Sequence, residues 1–254
     1  MSLRVTFLGT GTSTGVPVPT CRCAVCTSTD ERDRRLRPSV QLEWDQTSVL
    51  IDSSTDLRQQ ALRYEIERVD AVLYTHAHAD HILGIDDLRL YNWKQKGAIP
   101  AFGSARTLDA IRRTFWYVFD EEPGESTRPS LDLVPTTKPF EFHGRTIEPI
   151  PVMHGKLPID GWRVGNFAYL TDVRTIPESS FDRLHGLDLL VLNALREREH
   201  ATHLTLEQAT ACAKRIGAKR TLFTHMSHEM LHAPTCDALP NGVDLAYDGL
   251  TVEL

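Results

Sequence analysis

The 254-residue sequence lacks two features that would assign it to large functional classes. It has no excess of positive charge, since 28 lysines and arginines stand against 34 acidic residues, for a formal net charge of −6. A protein that holds a long nucleic acid usually carries a basic face, so this balance favours a small substrate. The sequence also lacks an uninterrupted apolar run long enough to span a bilayer, and we expect no association with membranes.

The sequence shows no targeting segment, and cysteine is scarce. The opening "MSLRVTFLGTGTSTG" alternates apolar residues and then reaches glycines, which predicts a strand and a loop rather than a signal peptide. We therefore expect a cytoplasmic protein. The five cysteines are odd in number, and three of them lie between positions 21 and 26. In a reducing compartment this pattern favours a metal site over disulfides.

Strand-like and helix-like segments alternate along the chain. Strands are predicted at Arg4–Gly9, Ser39–Trp44, Thr47–Asp52 and Val69–Thr75, and as one element in "WRVGNFAYLT". Helices are predicted from Ser54 as N-cap, over Ser104–Phe119 and over Thr205–Gly217. This order indicates a single α/β domain over residues 1–254, built as a two-sheet sandwich rather than a singly wound parallel sheet.

Metal-capable side chains are densest in "THAHADH", which follows a predicted buried strand and supplies His76, His78, Asp80 and His81. Side chains that leave one turn in different directions cannot all reach one ion without strain. We therefore predict two ions, with the first two histidines on one and Asp80 with His81 on the other. Further ligands are expected at the ends of later strands, where the candidates are His154, Asp172 and His225. Two adjacent cations lower the pKa of a shared water and clamp a phosphoryl group.

A second group of ligands lies in "CRCAVC", at Cys21, Cys23 and Cys26, within a cysteine-rich loop at about residues 20–27. Three thiolates make most of a tetrahedral zinc site. His228 follows His225 by three residues in "THMSHEM" and would complete a closed Cys₃His site with a structural role. Cys212, in a predicted helix, and Cys236, in a predicted loop, are the alternative fourth ligands.

Taken in order, "THAHADH", an "HG" after a strand, "YLTD" and a late "TH" resemble the metallo-β-lactamase superfamily over nearly the whole chain. The opening "FLGTGTSTGVP" is similar to its phosphodiesterase branch. The "CRCAVC" insert narrows the resemblance to the phosphoribosyl cyclic phosphodiesterases and their close relatives. The resemblance implies an αββα four-layer sandwich of two mixed β-sheets, with a dinuclear site at one edge.

The resemblance also implies individual roles. One divalent ion, manganese or zinc, takes His76, His78 and His154; the other takes Asp80, His81 and His225; Asp172 bridges them; and a structural zinc takes Cys21, Cys23, Cys26 and His228. A histidine in the region of His203 contacts the phosphate in these enzymes and assists the leaving alkoxide, with His200 as the nearby alternative. The family also suggests a homodimer.

The sequence thus predicts a dinuclear metal-dependent phosphodiesterase in which Asp80 orients the attacking hydroxide. The expected substrate is a small phosphodiester, such as a cyclic ribose phosphate or a cyclic nucleotide. Arg89 would bind its phosphate, or would instead pair with Asp86 on a helix. The alternatives are a tRNA 3′-processing endonuclease, although no inserted arm for tRNA is visible, a thioester or lactam hydrolase of the same fold, and a metal-stabilised binding protein.

Overall fold

The computed structural model describes residues 2–120 and 127–254. Its strands form two sheets of seven strands each. In chain order the strands are β1 (Arg4–Gly9), β2 (Ser39–Trp44), β3 (Thr47–Ile51), β4 (Ala71–Leu73), β5 (Ile99–Gly103), β6 (Leu131–Pro135), β7 (Phe140–Phe142), β8 (Arg145–His154), β9 (Leu157–Val164), β10 (Phe167–Leu170), β11 (Leu189–Asn193), β12 (Arg220–Thr224), β13 (Val243–Leu245) and β14 (Thr251–Glu253). The order is β14-β1-β2-β3-β4-β5-β6 in the first sheet and β13-β12-β11-β10-β9-β8-β7 in the second.

Helices connect the strands in both halves of the chain. They are α1 (Leu57–Arg63), α2 (Ala79–Ile82), α3 (Arg89–Gln95), α4 (Ala105–Thr114), α5 (Glu178–Phe181), α6 (Leu206–Ile216) and α7 (His232–Ala238). The predicted helix at 205–217 is confirmed: Thr205 and Gln208 form a reciprocal capping box, and Gly217 ends the helix in the left-handed conformation. Among the described residues, no helix combines the length and the apolar character needed to cross a membrane.

Both sheets are buried on two faces, which makes the molecule four layers deep. Successive side chains of a strand point to opposite faces. In β3, Val49 and Ile51 therefore enter the core between the sheets, while Leu50 packs in the cluster beneath the first set of helices. In β11, Val191 enters the central core and Leu190 the outer cluster of the second sheet. The predicted αββα sandwich of two mixed sheets is confirmed.

Three predicted elements have different limits in the structure. The helix predicted over 104–119 ends at Thr114, and a short 3₁₀ turn follows at Trp116–Val118. The segment "WRVGNFAYLT" is two antiparallel strands, β9 and β10, because the chain reverses at Gly165 in the left-handed conformation. Helix α1 begins at Leu57 with Asp56 as N-cap, so Ser54 is not the N-cap.

Parallel pairing places the functional loops at one edge of the sandwich. Strands β3 and β4 are parallel in the first sheet, and β10, β11 and β12 are parallel in the second. The carboxyl ends of parallel strands meet at the same edge, where loops positioned by a rigid scaffold carry catalytic side chains. The two halves of the chain therefore supply ligands to one place.

Candidate metal centre

All seven predicted ligands of the two-ion site come together at this edge. They stand on the loop after β4 (His76 and His78), on α2 (Asp80 and His81), at the end of β8 (His154), and directly after β10 (Asp172) and β12 (His225). All are buried except His78, which is exposed. The sandwich thus positions side chains that are up to 149 positions apart in the sequence, from His76 to His225.

Two of these residues have an unusual backbone conformation. Asp172 and His225 both have a φ of 58°, in the left-handed region that side chains other than glycine seldom adopt. Each lies one or two residues beyond the end of its strand, where a left-handed residue turns the chain sharply. Backbone strain of this kind persists when the surrounding structure enforces it, and it is concentrated at functional sites.

The ligands form two groups that share Asp172. The first group is His76, His78, His154 and Asp172, and the second is Asp80, His81, Asp172 and His225; within each group the ligand atoms lie within 4.8 Å of one another. Oδ1 of Asp172 lies 3.2 Å from Nδ1 of His225 and 3.4 Å from Nε2 of His81. Its other oxygen, Oδ2, lies 3.7 Å from Nε2 of His76. One carboxylate therefore presents an oxygen to each group, as a bridging ligand would.

Four buried atoms of these groups have no hydrogen-bond partner among the described residues: His76 Nε2, Asp80 Oδ2, His81 Nε2 and His225 Nδ1. Buried polar atoms in folded proteins nearly always have a partner. A cation in each group would satisfy all four at once, so the residues present fit a pair of divalent ions. Imidazole and carboxylate donors suit zinc, manganese, iron or nickel and do not select one of them.

The charges in the second group reinforce this fit. Burial lowers the pKa of His225 to about 4, which keeps its ring neutral. Burial alone would also lower the pKa of His81, but the negative charges of Asp80, Asp172 and Asp52 raise it well above its ordinary value. A ligating imidazole must be neutral, so a cation bound at His81 Nε2 would displace that proton.

Asp52 and Thr12 contact the ligands His81 and His225 on the side away from the metal centre. The sequence did not predict a role for either residue. Asp52 is fully buried, and its Oδ2 accepts a hydrogen bond from His81 Nδ1 at 2.6 Å and from the Thr75 hydroxyl at 2.8 Å. Thr12 Oγ1 lies 3.2 Å from Nε2 of His225. Each contact engages the ring nitrogen that points away from the centre, so it leaves the other nitrogen free to ligate.

We predict that Asp52→Asn lowers the affinity of the site for divalent metal by about 10- to 100-fold, since the partner that orients His81 would lose its charge. Calorimetric titration of metal-stripped protein with Mn²⁺ or Zn²⁺ measures this change. Asp109→Asn, on an exposed position of α4, is the matched control. An affinity equal to that of the unmodified protein would show that Asp52 does not support the centre.

Of the two residues predicted to bind substrate, one lies at the metal centre and the other is in an ion pair with a neighbouring residue. His203 is buried beside the two groups, with Nε2 3.2 Å from Oδ2 of Asp172 and its ring stacked on that of His225 at 5.0 Å between centroids. Arg89 lies in an ion pair with Asp86, at 2.8 Å, which corresponds to the alternative interpretation of its role. His203 is therefore the substrate-contact candidate that the fold brings to the centre.

The cysteine loop forms a third cluster, of Cys21, Cys23, Cys26 and His228. The three sulfur atoms lie 3.3, 3.5 and 3.5 Å from Nδ1 of His228. Zinc bonds of ~2.3 Å to sulfur and ~2.0 Å to nitrogen at tetrahedral angles place such atoms about 3.5 Å apart, so the cluster fits a closed zinc site.

The thiol of Cys23 and the alternative ligands agree with this arrangement, whereas burial raises the pKa of Cys26 to about 11, so zinc would have to displace its proton. The backbone N–H of Cys26 lowers the pKa of Cys23 to about 6, which favours the thiolate that zinc binds. Cys212 instead packs against the outer core of the second sheet. Cys236 accepts a hydrogen bond from the backbone of Leu245. Neither alternative joins the cluster, and His228 takes the fourth position.

Comparisons with known proteins agree with the geometry. Residues 47–226 match the family model of the beta-lactamase superfamily domain. The fold superimposes on the crystal structure of a new diphosphatase from the PhnP family with a TM-score of 0.94 and 43% sequence identity, covering 100% of this chain and 98% of that one.

Two curated proteins are also similar over almost the whole chain. An octanoyltransferase from Porphyromonas gingivalis is 42% identical over 253 residues, which cover 98% of this chain. The chain spans only 51% of the length of that protein. A ribonuclease Z from Haloarcula marismortui is 26% identical over 319 residues, covering 99% of this chain and 94% of that protein.

Proposed function

The chain belongs to the beta-lactamase superfamily, and from that membership and the geometry of its centre we propose that it is a dinuclear metal-dependent phosphodiesterase. Its substrate is a small phosphodiester, such as a cyclic ribose phosphate or a cyclic nucleotide. The observation that carries the proposal is the Asp172 carboxylate, which offers one oxygen to each of two groups of otherwise unpartnered ligands.

The two ions would supply Lewis acidity toward the phosphate oxygens and would lower the pKa of the attacking water. One ion would be held by His76, His78, His154 and Asp172, and the other by Asp80, His81, Asp172 and His225. Asp80 also orients the nucleophile, because a carboxylate has a second oxygen that can accept a hydrogen bond from it. His203 gives a proton to the leaving oxygen, which matters most for a poor leaving group such as a sugar hydroxyl.

Two observations support a small substrate: the negative net charge of the chain and its similarity to the crystal structure of a diphosphatase from the PhnP family. The net charge of −6 disfavours a long polyanion. A diphosphate bond in a small molecule is the second candidate, because the 43% identical neighbour is described as a diphosphatase. Precursor tRNA is a weaker candidate, resting on 26% identity to a ribonuclease Z. We do not assign octanoyl transfer to this chain, because it spans half of that relative and gathers metal-type ligands.

A substrate panel tests the proposal. Protein reloaded with Mn²⁺ or Zn²⁺ is assayed on 2′,3′-cyclic nucleotides, cyclic ribose phosphates, a nucleoside diphosphate sugar, precursor tRNA and an octanoyl thioester. We expect the highest kcat/KM on a cyclic phosphodiester. Preference for precursor tRNA or for the thioester, by about tenfold or more, would replace the proposed substrate class, since a tenfold preference corresponds to ~1.4 kcal/mol in the transition state.

A further inference from the structure

The loop of residues 194–205, between β11 and α6, packs directly on the metal centre. It carries His203, and its Thr202 carbonyl accepts a hydrogen bond from Nδ1 of His154 at 2.9 Å. That contact engages one ring nitrogen of His154 and leaves the other for the first ligand group. Gly155 permits the close approach, because a Cβ at that position would lie 2.9 Å from Cγ2 of Thr202. The position of this loop therefore sets a metal ligand and the proposed acid together.

Backbone hydrogen bonds close the 194–205 loop at its base. The N–H of Leu195 donates to the carbonyl of Leu204 at 3.1 Å. The N–H of Leu206 donates to the carbonyl of Arg196 at 2.9 Å. The backbone between these contacts is irregular. Because irregular loops are more mobile than the elements they connect, side-chain contacts are needed to fix this part of the chain.

Arg196 makes such contacts from inside the loop. Its Nε donates to the carbonyl of Arg198 at 3.2 Å, and its Nη2 donates to the carbonyl of Glu199 at 2.9 Å. Its third nitrogen, Nη1, lies 3.5 Å from Oε1 of Glu229, which stands on the segment after β12. One planar guanidinium thus joins three points, a geometry that the flexible ammonium of a lysine does not reproduce.

Glu229 is the fixed end of this contact. The buried Arg35 donates to the two backbone carbonyls that flank Glu229, at positions 227 and 230, and so holds it in place. Arg198 also pairs with both oxygens of Glu229, at 3.0 and 2.7 Å, but its side chain is 73% exposed and such a pair contributes little. The side chains of Arg196 and Glu229 are only 24% and 26% exposed. Arg196 is therefore the more effective connection between the loop and its support.

We propose that Arg196, anchored on Glu229, is a positioning residue that holds the 194–205 loop against the metal centre. Through the backbone carbonyl that precedes His203, it orients the ligand His154. Through the same loop it keeps His203 in place to protonate the leaving oxygen, and this second effect rests on the proposed function. Arg196 acts through the loop and not by contact with the substrate.

Metal titration of the stripped protein gives a readout that needs no turnover. Arg196→Met keeps most of the side-chain length and removes the donors, and we expect the affinity for one of the two active-site ions to fall about tenfold. The zinc of the cysteine cluster should remain. Arg196→Lys keeps the charge without the planar fork and should recover little of the loss. Arg215→Met is the matched control, because Arg215 makes an exposed ion pair with Glu178 at the other end of α6.

Leaving-group dependence tests the effect on His203 at metal concentrations that saturate both sites. In Arg196→Met we expect kcat to fall about tenfold for a phosphodiester with an alkyl leaving group, and less for a p-nitrophenyl ester, which needs no proton. KM should change little, since the variant affects the reaction step and not uniform binding. Glu229→Gln keeps the shape of the side chain and should show the same pattern at smaller size. The double variant Arg196→Met/Glu229→Gln should be close to Arg196→Met alone, because both act through one contact.

The outcomes distinguish this inference from the proposed function. Unchanged metal affinity in folded Arg196→Met protein, or losses that multiply in the double variant, would overturn the role of Arg196. Parallel losses of melting temperature, structural zinc and both active-site ions would show a general structural role instead. An equal fall in kcat for both leaving groups would overturn the effect on His203. Failure of the proposed function would appear separately, as no phosphodiester turnover by the unmodified protein, and the metal titration would still decide the effect on His154.

Discussion

Asp172→Ala is expected to lower kcat/KM for phosphodiester hydrolysis by about 10³-fold or more, which corresponds to roughly 4 kcal/mol of transition-state stabilisation. The reason is geometric. Asp172 is the residue whose two oxygens face the two ligand groups, so its removal takes a ligand from both sites. Its loss also leaves His81 and His225 without the carboxylate that lies 3.4 and 3.2 Å from their ring nitrogens.

Metal content and activity measured on the same samples test this expectation. We expect the Asp172→Ala protein to lose both active-site ions and to keep the zinc of the cysteine cluster, which does not involve this residue. His154→Ala removes a ligand from the first group only and should weaken one ion more than the other. Asp109→Ala, on the exposed side of α4, is the control for a lost carboxylate. An Asp172→Ala protein with both ions and more than a tenth of the activity would contradict the bridging role.

Cys23→Ser is expected to destabilise the protein by about 4 kcal/mol or more, in the range seen when a structural metal is lost. Zinc in the cluster would join the 21–26 loop to His228, three residues beyond the ligand His225. The fully buried Arg35 holds the segment around His228 independently of the zinc, because it donates to the carbonyls of Ser227 and Met230 at 2.8 and 2.7 Å. We therefore expect stability and zinc content to fall before the intrinsic turnover of the folded protein does.

Thermal unfolding and zinc analysis of purified Cys23→Ser protein measure this effect. Cys212→Ser is the matched control, since its thiol packs in the outer core and stands outside the cluster. A Cys23→Ser protein with unchanged melting temperature and unchanged zinc content would show that the cysteine cluster holds no structural zinc. A fall in turnover without loss of stability would assign the cluster a direct part in the reaction.

Local spacing made the ligands predictable. His76, His78, Asp80 and His81 fall within six residues, and a cluster this dense is visible without a structure. The other candidates each follow a recognisable strand, and parallel strands deliver such residues to one edge. The αββα arrangement followed from the order of the elements together with the family resemblance, and the structure bears it out.

Contacts that depend on packing between distant segments were not predictable. Asp52 lies 29 positions before His81, and Thr12 lies 213 positions before His225. Neither residue belongs to a recognisable motif in the sequence. The packing of distant segments in the folded sandwich brings each one into contact with its histidine. The contact of His200 with His203 depends on how the loop before α6 folds. The limits of the helix predicted over 104–119 were wrong, because the chain leaves the helical conformation at Phe115 and forms a 3₁₀ turn over Trp116–Val118.

The central claim is that a pair of metal ions held at this edge hydrolyses phosphodiesters. The most direct test strips the protein of metal, reloads it with Mn²⁺ or Zn²⁺ and measures hydrolysis of bis(p-nitrophenyl) phosphate, with Asp80→Ala assayed in parallel and total zinc counted. We predict turnover that returns with metal and is lost in Asp80→Ala, while about one zinc per chain survives chelation. No turnover with any metal, in protein that still binds two or more ions, would contradict it.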